Sequence, residues 1–451
     1  MHVLRFFPAA VALTVALAVA VPARALTLLR DPDIEYALER LAQPVLRAAG
    51  LGATRLDIMV VDDPGLNAFV VDRNNIFIHS GLLLKMTRPA MLQAVIAHEA
   101  AHIANGHLAR RPINMRNART AAGIGAALAA AAAVASGEPG VAGAGALGAA
   151  SISQRLFFAH TQAEENAADQ SGVRFMAAAG LDPQGMVEVL DIFRGQELLG
   201  PGRQDPYVRT HPLSRDRYRV VQRLAGAYAA QLPPGSDDPV SAYWFQRARG
   251  KLSAYERAPK WTLNRLGESG HDDIAAMREA VARHRQADTA GALAAIDRAL
   301  ALRPEDPYYL ELKGQILFES RRFTQAVAAY GAAVRLAPKN ALILGSYGRA
   351  LLAAGQTAEA VRYLQQSYAL DGRDPRVLRD LAQAYAAQDN RGMAALVTAE
   401  RYAMGGQMAD AGIHARRASD LLPRGSPGWL RAQDVLAAAE LAAKTDKKRR
   451  R

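Results

Sequence analysis

A chain of 451 residues is too long for one ordinary hydrophobic core, so its length argues for two folded units. Half of the residues are hydrophobic and 22% are charged, a globular balance, and the formal charge of +12 comes with no nucleic-acid-binding motif. There is no cysteine, which excludes disulfides, thiolate metal ligands, a cysteine nucleophile and a lipid-anchored cysteine; any metal must be held by histidines and carboxylates.

The chain opens on a targeting signal. Arg5 gives a positive start, Ala9 to Val21 is apolar, and Ala23-Arg24-Ala25 fits an A-x-A cleavage site. The apolar run is short for a membrane span, so residues 1–25 are expected to be a cleaved signal peptide and the mature chain periplasmic.

Residues 26–235 are expected to form the first domain. Ile34, Leu38, Leu41, Val45 and Leu46 have helical spacing, with Pro44 as a candidate kink. Leu56 to Val61 is β-rich and stops at the turn signal Asp62-Asp63-Pro64-Gly65. Asn67 to Val71 and Asn75 to His79 read as two further strands flanking Asp72-Arg73-Asn74. Thr87 is a candidate N-cap for the next helix, with Pro89 in its first turn and an end expected near Pro112.

That helix carries His98-Glu99-Ala100-Ala101-His102. Histidines one turn apart share a face and can chelate one Zn²⁺, while Glu99, rotated by about 100°, can serve a metal-bound water as general base. A third ligand is needed. The metzincin route would require Gly at 105 and His at 108, but Asn105 and Leu108 stand there, and His107 is one residue short, so it reads as a supporting or structural residue. Glu165-Asn166-Ala167-Ala168-Asp169 offers a carboxylate instead. Glu165 could bind the metal while Asp169, on the same helix face, accepts a hydrogen bond from a ligand imidazole; Glu164 is the rival.

Between these motifs, residues 118–150 are rich in alanine and glycine. Alanine buries little area, so a hairpin or a loop making peripheral membrane contact is expected there rather than a span. In the C-terminal part, Leu302, Leu336 and Leu370 fall 34 residues apart, as do Ala292, Ala326 and Ala360, Gly314 and Gly348, and Pro304 and Pro338. A 34-residue period with small residues at fixed offsets reads as a tetratricopeptide array over 240–440, with degenerate repeats around Ala242 to Tyr255 and Pro423 ending the last helix. Six basic residues and one acid between Lys444 and Arg451 suggest a basic disordered tail over 441–451.

Taken together, HEAAH-IANGH, the E-N-A-A-D that begins 63 residues after His102, Asn67-Ala68-Phe69, and Thr210-His211-Pro212 with Arg217 resemble the gluzincin family of HtpX and the CAAX prenyl proteases. The leader and repeats narrow the likeness to its periplasmic members. The resemblance implies an α+β fold: a mainly helical zincin-type metallopeptidase domain with a small β-sheet, followed by an all-α repeat domain. It implies one zinc ion per chain on His98, His102 and Glu165, with Glu99 catalytic and Asn67, Ala68 and Phe69 as the substrate edge strand. It further implies that His211 is either a regulatory fourth ligand or an oxyanion donor. The expected activity is a zinc endopeptidase and chaperone-like factor in outer-membrane β-barrel assembly. The expected partners are misassembled outer-membrane proteins and, through the repeats, the assembly machinery; a largely latent peptidase acting as a binding module is the alternative. Thr161-Gln162 and Asp72-Arg73-Asn74 depart from the Ser-Arg pair and Pro-Gly-Gly turn of many relatives.

Overall fold

The computed structural model describes residues 27–54, 56–109, 162–199, 203–231 and 238–449. The expected signal peptide (1–25) and the alanine-rich stretch 118–150 lie outside these residues. Among the described residues no helix is long and apolar enough to cross a membrane.

Helix Pro32–Ala48 begins where the Asp31 carboxylate accepts the backbone N–H groups of Asp33 and Ile34, and it runs unbroken through Pro44. Its apolar stripe from Ile34 to Leu46 is buried, as the spacing predicts. A four-stranded sheet of β1 (Leu28–Leu29), β2 (Asp57–Val61), β3 (Ala68–Val70) and β4 (Asn75–His79) has the order β1-β2-β4-β3. β2 and β4 are parallel, whereas β3 pairs antiparallel with β4 and forms a sheet edge. Asn67, expected within the strand, lies just before β3, although its carbonyl still accepts the His79 N–H at 2.9 Å.

Helix Pro89–Ala104 is buried from Pro89 to Ile103 and forms the centre of the first core. Two of its boundaries correct the sequence reading. Its N-cap is Arg88, not Thr87, because a residue before proline is forced into extended backbone and Arg88 takes that role at φ −132° and ψ 151°. It ends at Ala104 rather than near Pro112, because Gly106 takes the left-handed φ of +71° that closes a helix. A second helix, residues 162–178, crosses it at Gly172. A Cβ at Gly172 would lie 2.9 Å from the Met186 methyl and 3.3 Å from the His98 nitrogen, so a side chain there would crowd this approach.

Helix Pro239–Glu256 belongs to two cores at once. Phe245, Ala248 and Leu252 join the core of the first unit, while Tyr243 and Ala254 join the first core of the repeats. The fully buried Arg247 bridges Asp33 (2.7 Å) and Asp306 (2.5 Å), and Lys251 meets Asp31 at 2.9 Å. A chain ended after Asp238 should therefore lose folded stability, since it strips apolar cover from the core and leaves Asp33 buried without its cations. A chain ended after Arg257 should retain a cooperative thermal transition; circular dichroism of the two truncations checks this.

Helical hairpins follow. Asp272–Arg285 packs on Thr289–Leu302, Pro307–Glu319 on Phe323–Leu336, Ala341–Ala353 on Thr357–Leu370, and Pro375–Ala387 on Arg391–Met404. Ala292, Ala326 and Ala360 of the 34-residue columns are fully buried, and Leu302, Leu336 and Leu370 each end a second helix. Pro423 does not end the last helix. It follows Met408–Leu421, and a further helix, Pro427–Arg449, continues into the segment expected to be a disordered tail. Alanines favour that helix, and basic residues at its C-terminal end suit the helix dipole.

The repeats also grip the sheet. Arg30, next to β1, pairs with Asp371 at 2.6 Å, and Arg373 reaches Asp57 at 2.5 Å and Asn75 at 2.6 Å. Burial works against the Asp371 charge, but the hydrogen bonds and charges of Arg30 and Arg373 outweigh it and hold this carboxyl down at about 2. A depressed acid stabilises the fold above its unfolded value and loses that contribution as pH falls toward the folded one. Between about pH 4 and pH 2 the wild type should lose about 1 kcal/mol more than an Asp371→Asn chain, after solvent screening. Denaturant midpoints across that range test the sign.

Candidate metal centre

The central helix presents His98 and His102 on one face, and the helix crossing at Gly172 presents Glu165 and Asp169 to them. The short helix Pro206–Thr210 ends at His211, whose backbone N–H bonds the Tyr207 carbonyl at 2.7 Å. Each of His98, His102, Glu165 and His211 offers one donor atom, all four lie within 4.8 Å of one another, and together they could hold a metal ion.

The pairwise distances test that fit. His98 Nε2 lies 3.1 Å from His102 Nε2, 3.2 Å from His211 Nδ1 and 3.3 Å from Glu165 Oε2. Glu165 Oε1 lies 3.2 Å from His102 Nε2 and 3.1 Å from His211 Nδ1. Four donors around one tetrahedral ion stand about 3.3–3.6 Å apart, close to these values. Hydrogen bonds alone do not account for the set, because a single ring nitrogen carries at most one proton.

The outer nitrogens are partnered in the way a metal ligand requires. His98 Nδ1 meets Asp169 Oδ1 at 2.9 Å, His102 Nδ1 meets His107 Nδ1 at 3.0 Å, and His211 Nε2 meets the Ala68 carbonyl at 3.2 Å. With each outer nitrogen as donor, the lone pairs of the three inner nitrogens converge. Burial opposes a charge on His98, yet hydrogen bonds and charges from Asp169 and Glu165 push its pKa up to about 10, so the pocket favours positive charge there. Glu165 stays ionised far below its usual range despite burial, held by His211, Arg217 and His102.

Glu99 is fully buried, and neither carboxylate oxygen has a hydrogen-bond partner. Its Oε1 lies 3.4 Å from His211 Nε2. An ionisable group so placed is costly unless something at the site uses it.

The expected residues thus come together: His98, Glu99, His102, Glu165, Asp169 and His211 share one buried pocket. Glu164, the rival of Glu165, is partly exposed and lies outside the four-donor set. Ala68 borders the pocket through its carbonyl, and Asn67 reaches it through Thr210 Oγ1 at 3.2 Å; Phe69 instead stacks on Phe77. Two participants carried no assigned role in the sequence reading. Buried Arg217 binds both Asp169 oxygens, reaches Glu165 at 3.1 Å, and donates to the carbonyls of His211 (3.2 Å) and Pro212 (3.1 Å). Tyr207 stacks on His211 at 4.6 Å, with Phe193 stacked behind it at 4.6 Å. The signal for Arg217 was its place in the pattern Thr210-His211-Pro212 with Arg217.

Comparison with known proteins agrees with this geometry. Residues 29–225 match the model of Peptidase family M48, and residues 317–366 match that of a Tetratricopeptide repeat. The chain is 26% identical over 390 residues to the Beta-barrel assembly-enhancing protease of Escherichia coli (strain K12), covering 85% of this chain and 78% of the relative. It is 30% identical over 227 residues to the Putative beta-barrel assembly-enhancing protease of Vibrio cholerae, covering 49% of this chain and 44% of that one. It is 27% identical over 188 residues to the Mitochondrial metalloendopeptidase OMA1 of Schizosaccharomyces pombe, covering 41% of this chain and 51% of that one. Residues 29–225 are thus a Peptidase family M48 domain by this match, joined in one chain to a tetratricopeptide repeat match over 317–366.

Proposed function

We propose that this chain is a periplasmic zinc endopeptidase with a chaperone-like role in outer-membrane β-barrel assembly. The observation that carries the chemistry is the convergence of His98, His102 and Glu165 beside a fully buried Glu99 whose oxygens accept no hydrogen bond. A donor set of nitrogens and oxygens alone, all within 4.8 Å of one another, suits zinc. When bound, the metal supplies the Lewis acidity that makes water nucleophilic near neutral pH and polarises a carbonyl. Glu99 would accept a proton at its carboxylate from the attacking water and return it to the leaving amine. Asp169 holds the His98 tautomer, and Arg217 fixes Asp169 and Glu165 together. The substrate lies extended along β3, adding a strand to the sheet edge. The names of the two bacterial relatives support the assembly role, the repeats supply a surface for protein partners, and the cleaved leader accounts for export.

A second reading, a mostly latent peptidase that acts through its repeats, is favoured by His211 standing in the fourth donor position. The two readings share one zinc site. Purified protein should contain one zinc per chain and cleave an unfolded substrate such as casein, with both lost on chelation and restored by zinc. Glu165→Ala should lose most of the metal, whereas Glu164→Ala should keep it. Full retention in the first with loss in the second overturns the ligand assignment.

A further inference from the structure

Outside the pocket, a cleft of about 440 Å³ lies against the segment that follows His211. Its walls include Arg194 and Leu198 on one side and Leu213, Arg215, Tyr218 and Arg219 on the other. Three of the lining residues are arginines and none is acidic. Two acids outside it pair with these arginines: Asp191 meets Arg194 at 3.2 Å and accepts from the Tyr218 hydroxyl at 3.0 Å, and Asp216 meets Arg219 at 3.7 Å, both as exposed ion pairs that water screens. Leu198 is 75% exposed at the rim, an apolar side chain beside cations.

Two physical connections run from this cleft to His211. The first is the chain: Leu213 and Arg215 line the cleft, and only Pro212 separates Leu213 from His211. The second is a ring stack. Phe193 adjoins Arg194 in sequence, stacks on Tyr207, and Tyr207 stacks on His211. An occupant that draws on Leu213 strains the first connection, and one that draws on the Arg194 turn strains the second.

We propose that this cleft is a docking site for an anionic, apolar peptide segment of a partner protein, and that its occupation draws His211 away from the metal ligands. Charge complementarity selects the occupant: a carboxylate meets the arginine fork, and an adjacent apolar side chain covers Leu198 and Leu213. The size suits two or three residues of a peptide rather than a folded surface. The inference rests on the reading of His211 as a cap on the zinc, and the test separates the two.

The experiment uses the full-length zinc protein, a fluorescent octapeptide of alternating Asp and Leu, and its Asn/Leu counterpart. The Asp/Leu peptide should bind saturably and raise cleavage of a short reporter peptide about tenfold, and the Asn/Leu peptide should do neither. The double variant Arg215→Glu/Arg219→Glu should weaken binding by about tenfold or more. An acid at 215 suits the helix N-terminus, so this variant should fold. Leu198→Asp, at an exposed position, gives a second probe of the same loss. A His211→Ala chain should bind the peptide normally but gain no activity from it. Binding that survives both sets of substitutions, or that passes to phosphatidylglycerol vesicles while the peptide fails to bind, overturns the docking site. Arginine-dependent binding that leaves cleavage unchanged, in a protein whose His211→Ala variant is fast, overturns the regulatory link alone. Arginine-dependent binding with a His211→Ala variant no faster than wild type refutes the capping reading and the link with it.

Discussion

Replacing Glu99 with glutamine should lower casein cleavage by about 10²–10⁴-fold, the range lost with a general base, while zinc content stays at one per chain. The substitution keeps the shape of the side chain and removes only its charge and basicity. Glu99 lies among the donor atoms without belonging to the four-donor set, so metal affinity should hardly change. Stability gives an independent readout. Both Glu99 oxygens are buried without a hydrogen-bond partner, so the isosteric amide gives up no hydrogen bond. The thermal midpoint of Glu99→Gln should therefore match or exceed that of the wild type. A merely structural glutamate predicts the reverse pattern: a lower midpoint and nearly normal turnover. Retained activity in the glutamine variant would move the base to another group and remove Glu99 from the mechanism.

Much of this pocket was legible because helical periodicity is rigid. His98 and His102, and Glu165 and Asp169, are pairs at i, i+4, and each pair had to share a face once its helix formed. The sequence could not say how the two helices meet. That depends on Gly172, which continues the Glu165–Asp169 face and whose missing Cβ lets the backbone at His98 approach. Boundaries misled where local chemistry outranked pattern. The helix was expected to run on to Pro112, but Gly106 had already closed it; Thr87 resembled a cap, but Pro89 gave that role to Arg88. The repeat columns predicted the helical hairpins well. They did not predict that helix Pro239–Glu256 would serve both cores, because its buried Arg247 and Lys251 read as surface residues until Asp31, Asp33 and Asp306 are brought to them. Long-range ion pairs of this kind leave no periodic trace in a sequence.

The last expected result concerns His211, whose replacement by alanine should raise cleavage about tenfold or more without loss of zinc. The alternative role, an N–H donor to the developing oxyanion, predicts a slower enzyme on every substrate. The geometry argues for the cap. Nδ1 stands 3.2 Å from His98 Nε2 and 3.1 Å from both Glu165 oxygens, where a lone pair serves a metal, and Nε2 lies 3.2 Å from the Ala68 carbonyl. Both nitrogens are committed, and the single N–H, on Nε2, is taken by the Ala68 carbonyl rather than left for a substrate. Ala68 then explains how substrate could compete. The His79 N–H bonds Asn67 on the β4 side of the ladder, and alternation turns the Ala68 carbonyl toward the open edge. A peptide adding to β3 needs that same carbonyl, so pairing along the edge removes one of the bonds that hold His211 in place. The alanine variant should accordingly gain most on short peptides, which make few edge bonds and displace the imidazole poorly. It should gain least on long unfolded chains, which already displace it. Equal gains on both would separate the cap from the edge strand, and a uniform loss with full zinc would assign His211 to the transition state instead.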